Sequence, residues 1–348
     1  MVTTVSEVGE KDLIKKIIVG LASKTHKSAR LGDDCGEISV SFGNNVFAST
    51  DKVPEDLVAF SKGIMSYFQL GRYLVEVNAS DICAMGLKPT GILVNISMPR
   101  DFLSHDFREL YEGIATRCTE LEIEILGGDT KFSTKLGLVG VAFGQGPSDT
   151  ALTRFKAQQD ELVFISGPLG QFGASLRLLL NDLWDDHRIS NNDREALKQA
   201  IVEPTCRVDL VPAISENPMI SSCMDISDGL GQSLIELSKE SNIGIEIDWS
   251  SIPVPPPVVS AADLLCIDPK QIVFGPGLDL ELVGTVPDTT AARKFCELHG
   301  LKIVGKTTND HSFPRLKSGN TVKDIPGGYD QLTTDLHQSL VLPKIRLD

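Results

Sequence analysis

The sequence predicts an α+β protein of mixed α/β character, built from two lobes. A length of 348 residues is enough for one large domain or two ordinary ones with a substantial core. Segments with strand and helix patterns are interleaved, but without the strict βαβ rhythm of a doubly wound parallel sheet. A polar, turn-rich segment near residue 148 divides the chain, so we expect domains over 1–148 and 149–348.

In the first half, apolar spacing separates helices from strands. The segment 71–86 has helical spacing, ends at Gly86 and is followed by Pro89, which is typical of a helix terminus. The strand that follows it ends at Pro99. We predict helices over 10–22, 71–86 and 105–121, and strands over 45–51, 90–99, 123–130 and 136–146.

The second half opens with a strand, a glycine turn and a helix within 162–180. A proline-rich stretch, 251–260, is predicted to be a connection without regular structure. The remaining predicted elements are strands over 221–227, 243–248, 271–287 and 301–308, and helices over 228–241 and 289–300.

Composition excludes several classes of function. Hydrophobic residues make up 41% of the chain and no apolar run approaches the length of a membrane span. The net charge of −14 argues against a nucleic-acid partner. The N-terminal residues lack the pattern of a signal peptide, and the seven cysteines form no Cys-x-x-Cys pair. We therefore expect a cytoplasmic protein with reduced thiols, no membrane partner and no structural zinc site.

Aspartates recur where predicted strands or turns end. Asp51 ends the strand 45–51, Asp129 follows two glycines, and Asp225 and Asp228 lie where a strand gives way to a helix. Asp33 follows Gly32 in a predicted turn. Each one alone is compatible with a turn or a helix cap. Their recurrence beside small residues favours a shared role.

The helix 71–86 carries an acid on a face that should point inward. Leu74, Asn78, Asp81 and Met85 are spaced i, i+4, i+7 and i+11, and therefore share one side of the helix. An unpaired carboxylate buried there would cost several kcal/mol or would protonate. Two interpretations remain open for Asp81: a buried salt bridge or cap, and a metal ligand reached from a cleft.

Carboxylates at such positions suit Mg²⁺, which prefers oxygen ligands and usually binds a few carboxylates together with substrate phosphates. Neighbouring glycines would allow backbone N–H groups to approach phosphate oxygens. The sequence contains no G-x-S-x-G nucleophile elbow. A polyanionic substrate held through divalent cations is therefore compatible with the acidic chain.

Seven motifs in fixed order carry a resemblance to a known family. They are "LGDDCGEI", "STDKV", "VNASDICAMGLKP", "ILGGDT", "ALTRFKAQQDELVFISGPLG", "MDISDGL" and "GGYDQL". Together they resemble the thiamine-monophosphate kinase family, within the ATP-binding superfamily that also contains aminoimidazole ribonucleotide synthase. The resemblance covers nearly the whole chain.

The resemblance implies a two-lobed fold of the aminoimidazole ribonucleotide synthase type. N-terminal sheets of two protomers would pair as a barrel in a homodimer. The domain 1–148 would bind ATP and Mg²⁺ and dimerise, and 149–348 would complete the cleft. The implied activity is a Mg²⁺-dependent kinase that transfers phosphate from ATP to a small phosphorylated metabolite, thiamine monophosphate.

By matched motif, the resemblance also implies roles for individual residues. The catalytic group is Asp129, Arg154 and Asp225. The implied nucleotide contacts are Tyr111, Gly128, Asp129, Arg154 and Ser227. The implied ligands of several Mg²⁺ ions are Asp33, Ser49, Thr50, Asp51, Asp81, Asp129, Asp225 and Asp228.

The acceptor half of the family's pattern is altered here. The His-Phe pair expected after the first strand is reduced to Phe60, and Leu278 and Leu280 replace a Glu and a Tyr. Asp279 and Tyr329 remain as the expected substrate-side residues. The alternative hypothesis is therefore a related ATP-dependent enzyme of the same superfamily with a different small-molecule acceptor. A third hypothesis is a dimer that senses ATP without turnover.

Overall fold

The computed structural model describes residues 36–39, 44–216, 219–310, 313–326 and 340–341. Side chains within 36–39 and that of Glu216 are not described. The predicted helix over 10–22 lies outside the described residues, as do Asp33 and Tyr329.

The first sheet has five strands in the described part of the chain, in the order β1-β2-β5-β3-β4. Only β3 and β4 pair in parallel, and the other neighbours are antiparallel. The strands are β1 (Gly36–Ser39), β2 (Asn45–Lys52), β3 (Pro89–Met98), β4 (Glu124–Phe132) and β5 (Gly137–Gly146).

Three helices accompany this sheet: α1 (Val58–Ser61), α2 (Tyr67–Ala84) and α3 (Ser104–Leu121). Ser66 begins α2 with a capping box, in which its hydroxyl accepts the N–H of Gln69 at 3.2 Å. Gly71 lets α2 and α3 approach closely, because a Cβ at this position would lie 2.1 Å from the Leu110 carbonyl oxygen. The long helix α2 packs against β2 and β5 of this sheet and against β7 of the second.

The second sheet has seven described strands in the order β12-β11-β8-β10-β6-β9-β7. All neighbouring pairs are antiparallel except β8 with β11. The strands are β6 (Glu161–Ile165), β7 (Ser222–Asp225), β8 (Gly244–Asp248), β9 (Leu282–Pro287), β10 (Lys302–Thr308), β11 (Arg315–Ser318) and β12 (Thr321–Asp324).

Seven further helices in the described residues cover this sheet and lead into it. They are α4 (Gln171–Leu180), α5 (Asn191–Val202), α6 (Val211–Glu216), α7 (Leu230–Ser241), α8 (Pro256–Leu265), α9 (Pro269–Val273) and α10 (Thr290–Leu298). None of the described helices is long and apolar enough to cross a membrane.

The predicted α+β class with two lobes is confirmed, but two local predictions are wrong. The stretch 251–260 contains the start of α8, because Pro256 occupies a first-turn position where its missing N–H costs nothing. The predicted strand over 271–287 is largely α9 and a loop, and only β9 is extended. Gly275 and Pro276 interrupt that pattern. Helix α5 was not predicted at all.

Candidate active site

Strand β2 delivers Asp51 to the end of the first sheet. Asp51 pairs with Gly140 of β5, and the absence of a side chain at Gly140 leaves room for Asn78 of helix α2. A Cβ at Gly140 would lie 2.4 Å from the Asn78 Nδ2 atom. The buried Asn78 amide accepts the Asp51 N–H through Oδ1 at 2.9 Å. Asn78 thus fixes the backbone that carries Asp51, a function that we did not predict.

Helix α2 contributes two further polar groups from consecutive positions. Asp81 accepts a short hydrogen bond from the Ser49 hydroxyl of β2. The buried Ser80 hydroxyl donates to Asp225 Oδ2 at 2.7 Å. One turn of α2 therefore touches both β2 of the first sheet and β7 of the second. The described contacts do not support a salt bridge or a helix cap for Asp81, because the group that donates to its carboxylate is the Ser49 hydroxyl.

Strand β7 ends at Asp225, which is buried, and the chain then turns into α7. The helix begins after Gly229, whose φ of 87° favours glycine, and a Cβ there would lie 1.9 Å from the Gly275 carbonyl oxygen. Gly229 rather than Asp228 occupies the N-cap position, and no side chain caps this helix. The Asp228 carboxylate is therefore not used as an N-cap, which was one of its possible roles.

These elements enclose a cavity of about 330 Å³ between the two sheets. Its lining includes most of the residues that the sequence pointed to: Ser49, Thr50, Asp51, Asp81, Arg154, Asp225, Ser227 and Asp228. Residues separated by as many as 179 positions in the chain, from Ser49 to Asp228, thus face one space.

Arg154 enters the cavity from the segment that joins the two sheets. Its guanidinium donates from Nη1 to Glu236 Oε2 of helix α7 at 2.7 Å. Glu236 accepts a second hydrogen bond through Oε1 from Gln232 Nε2 at 3.0 Å. Both members of the ion pair are largely buried, and both line the cavity. Glu236 therefore sets the direction of the guanidinium. No pattern in the sequence indicates this pairing.

Three of the predicted nucleotide contacts lie outside the cavity. Gly128 and Asp129 are on β4. Asp51 on β2 aligns with Gly128 on β4 through Gly140 of β5 and Val94 of β3, in one row across four strands. Three strand spacings put the Asp51 and Gly128 backbones roughly 14 Å apart. The Asp129 side chain is 49% exposed and pairs with Lys131, Oδ2 to Nζ, at 3.4 Å.

Tyr111, the third, lies exposed on α3, with its ring stacked 6.1 Å from that of Phe107.

Asp279 lines a neighbouring cavity of about 370 Å³. Its two carboxylate oxygens accept the N–H groups of Gly170 at 2.9 Å and Phe172 at 3.4 Å, at the start of helix α4. Burial raises the Asp279 pKa to about 6, and the nearby charge of Glu281 contributes to the rise. Leu278 lines both cavities and so forms part of the wall between them.

The electrostatics of the first cavity suit a cation. Burial raises the pKa of Asp81 well above its usual range, and the charges of Asp51 and Asp225 raise it further. Such crowding of like charges is relieved by a bound hard cation, and the donors offered are oxygen atoms.

Within the described ranges, no three His, Cys, Asp or Glu side chains form a group that could hold a metal by themselves. Phosphate oxygens and water would therefore have to complete the coordination of Mg²⁺.

Comparison with known proteins places the chain in a family. The model of the AIR synthase related protein N-terminal domain matches residues 32–145, and that of the C-terminal domain matches 158–316. The thiamine-monophosphate kinase of Bacillus subtilis is 28% identical over 80% of this chain and 83% of its own length. That of Aquifex aeolicus is 28% identical over 85% of this chain and 96% of its own.

Solved structures give the same result. The structure of AaThiL complexed with AMPPCP and TMP has a TM-score of 0.80 and 25% identity, covering 95% of this chain and 99% of that one. The hydrogenase maturation protein HypE of E. coli shares the fold, with a TM-score of 0.66 at 18% identity, covering 90% of this chain and 97% of that one. The two matched models together span most of the sequence, and the chain belongs to the thiamine-monophosphate kinase family of the AIR synthase related proteins.

Proposed function

We propose that this protein is a Mg²⁺-dependent ATP phosphotransferase that converts thiamine monophosphate to thiamine diphosphate by direct in-line transfer. The observation that carries the proposal is the single cavity in which acids from β2, α2 and β7 meet Arg154. The relatives named as thiamine-monophosphate kinases, and the similar fold solved with AMPPCP and TMP, support it.

The cavity residues divide into metal-binding and phosphate-binding groups. Ser49, Thr50, Asp51, Asp81, Asp225 and Asp228 would hold Mg²⁺, with Asp33 and Asp129 as further ligands. Bound Mg²⁺ neutralises phosphate charge during transfer. Arg154 presents a planar fork of N–H donors to phosphate oxygens, and Ser227 offers a hydroxyl beside it.

The reaction requires little acid–base chemistry from the protein. A phosphate oxygen of the acceptor attacks the γ-phosphorus of ATP, the bond to the β–γ bridging oxygen breaks, and ADP leaves. Because the acceptor is already an ionised phosphate monoester, no strong general base is needed to activate it. Residues such as Arg154 and Asp225 would act by positioning and by stabilising charge.

We further propose a homodimer formed through the first sheet. Strand β4 lies at the edge of that sheet in the described residues, with Leu126 51% and Phe132 61% exposed. Such exposed apolar groups on an edge strand are typical of an interface. Gly128 and Asp129 lie on β4, and Tyr111 lies exposed on α3, the helix that precedes β4 in the chain. All three would contact the nucleotide where the two copies meet.

The acceptor side of the site departs from the family's sequence pattern at Leu278 and Leu280. Leu278 and Leu280 give the cavity an apolar wall, which favours the second candidate function: the same phosphotransfer with a different small acceptor. Asp279 and Tyr329 are the proposed substrate-side residues. Asp279 lies just beyond that wall, in the adjoining cavity.

The test is direct. Purified protein with ATP, Mg²⁺ and thiamine monophosphate should release ADP and thiamine diphosphate in equal amounts, measured by chromatography, and omission of Mg²⁺ should stop both. Release of ADP only with another phosphorylated metabolite would establish the second candidate. Binding of Mg-ATP by calorimetry without turnover would indicate an ATP sensor.

We also propose that the protein is cytoplasmic. The six cysteines in the described part of the chain are free thiols, which suits a reducing compartment.

A further inference from the structure

Helix α4 carries a buried arginine whose hydrogen bonds, among the described residues, reach neither the acids of the cavity nor Arg154. Arg177 of helix α4 is 5% exposed. Its Nη2 donates to the Gln271 carbonyl oxygen at 2.7 Å, and its Nη1 donates to those of Gly173 at 3.1 Å and Pro276 at 3.5 Å. In the described part of the chain, these hydrogen bonds all go to backbone carbonyls. Burial lowers the Arg177 pKa to about 10, so the group is still charged at neutral pH.

Two of the carbonyls that Arg177 holds lie just before one loop and within it. We call residues 274–281, between α9 and β9, the wall loop. Gln271 precedes the wall loop and Pro276 lies within it, so the guanidinium ties both to helix α4. The packing is close, because a Cβ at Gly275 would lie 2.5 Å from Arg177 Nη2.

The wall loop is also bonded to the turn that follows β7. The Gly231 N–H donates to the Phe274 carbonyl at 3.1 Å, and the Ile226 N–H donates to that of Glu281 at 2.7 Å. Leu280 donates in turn to the Ile226 carbonyl at 3.0 Å, and its φ of 53° is unusual for leucine. The surrounding contacts therefore hold the loop in a conformation that it would not adopt alone.

The wall loop carries the apolar side of the candidate active site. Leu278 and Leu280 both line the cavity, and Asp279 extends from the same loop to the start of α4. A shift of this backbone would move the wall that faces the acceptor. The acids of β2 and α2 would remain in place, because Asn78 and Ser49 hold them independently.

We propose that Arg177 is a positioning residue that fixes the wall loop, and with it the acceptor side of the active site. This inference rests on the proposed function for the identity of the acceptor. A guanidinium that donates to several carbonyls can order this loop, because its glycines and proline have no long side chains to anchor it. Arg177 touches no reacting atom, and its effect would pass through Leu278 and Leu280.

The experiment compares Arg177→Met and Arg177→Lys with a matched control, Arg194→Met. Arg194 also donates to carbonyls, those of Asp186 at 2.8 Å and Ile189 at 3.3 Å, but it is not part of either cavity lining. We expect Arg177→Met to raise the KM for thiamine monophosphate roughly tenfold, with a much smaller change in the KM for ATP. Arg177→Lys should recover part of this loss, and Arg194→Met should leave both KM values near wild type.

Hydrogen exchange measured by mass spectrometry supplies a readout that does not need activity. In Arg177→Met we expect faster exchange confined to peptides covering 271–282 and the amides of Ile226 and Gly231. If these peptides exchange at the wild-type rate in Arg177→Met, or if faster exchange spreads over the whole second sheet, the proposal is overturned. A deprotected loop with an unchanged acceptor KM would also overturn it.

If the wild-type protein does not phosphorylate thiamine monophosphate, but local deprotection is seen, the positioning of the loop stands and the proposed function is wrong.

Discussion

The Ser80 hydroxyl donates a hydrogen bond to Asp225 Oδ2 over 2.7 Å, and so joins helix α2 to strand β7 across 145 positions of the chain. Both side chains are buried. The next residue on α2, Asp81, is bonded to Ser49 of the first sheet. The relative placement of the two proposed metal-binding regions thus depends on two consecutive residues of one helix.

Ser80→Ala should lower the phosphotransfer rate by more than its small loss of folding free energy would explain. The variant leaves a buried Asp225 oxygen without its hydroxyl donor, at a cost of about 1 kcal/mol to folding. Misplacement of Asp225 should lower kcat roughly tenfold. The matched control is Ser175→Ala, a buried serine whose hydroxyl donates only to carbonyls of helix α4 and Leu197. Equal kcat values for the two variants, at similar melting temperatures, would refute the positioning role of Ser80.

Asp81→Asn should abolish Mg-ATP chemistry and leave the fold intact. The substitution removes one of three crowded carboxylates, which relieves repulsion in the folded protein while removing a metal-binding charge. We expect kcat to fall by at least about a hundredfold. The melting temperature without nucleotide should be no lower than that of wild type. The control is Asp263→Asn on the exposed side of α8.

If Asp81→Asn mainly unfolds the protein, its carboxylate is a structural partner and the metal assignment is wrong.

The architecture was predictable where the apolar pattern is regular. Helices α2 and α3 and strands β3 and β5 were expected within a few residues of their bounds, because each has an amphipathic or alternating sequence. The wall loop was predicted to be a strand because the segment is rich in apolar residues, although Gly275 and Pro276 interrupt it. The N-terminus of α8 was missed because prolines usually signal a connection.

The candidate site was predictable as a set of acids but not as a geometry. The spacing along α2 correctly put Asn78 and Asp81 on one face, yet it gave no sign that Asn78 would bind the Asp51 backbone. Ser80 and Glu236 have no local signal, since their partners lie 145 and 82 positions away. The roles of Asp129 and Tyr111 stay predictions, because both lie outside the cavity of the protomer.

Arg154→Met should separate a structural ion pair from a phosphate contact. Alone, it leaves the Glu236 charge buried without its partner guanidinium, which should cost about 3 kcal/mol of stability. It should also raise the KM for ATP roughly tenfold. Adding Glu236→Gln removes the buried carboxylate charge, so the double variant should regain most of the lost melting temperature. Its ATP KM should stay raised. Recovery of both quantities together would mean that Arg154 serves the fold alone.

Leu126→Lys should split the proposed homodimer. The side chain lies on the edge strand β4, half exposed, so a charge there would face its symmetry-related copy across the interface. We expect light scattering to give a dimer for wild type and a monomer for the variant. Leu298→Lys, at a leucine of α10 that is 76% exposed, should remain dimeric. A monomeric wild-type protein, or a dimeric Leu126→Lys variant, would contradict the proposed interface.

Asp279 should make the wild-type protein less stable as the pH rises from about 4 to about 7. Its pKa of about 6 in the folded protein lies above the value of an unfolded aspartate, so the folded state holds the proton more tightly. The stabilising contribution is therefore complete below pH 4 and is lost as the pH passes 6. Asp279→Asn has no such titration. The melting temperature of wild type minus that of Asp279→Asn should decrease as the pH rises across this range. The same difference for Asp263→Asn should not change with pH. A constant or growing difference would mean that the Asp279 pKa is not raised.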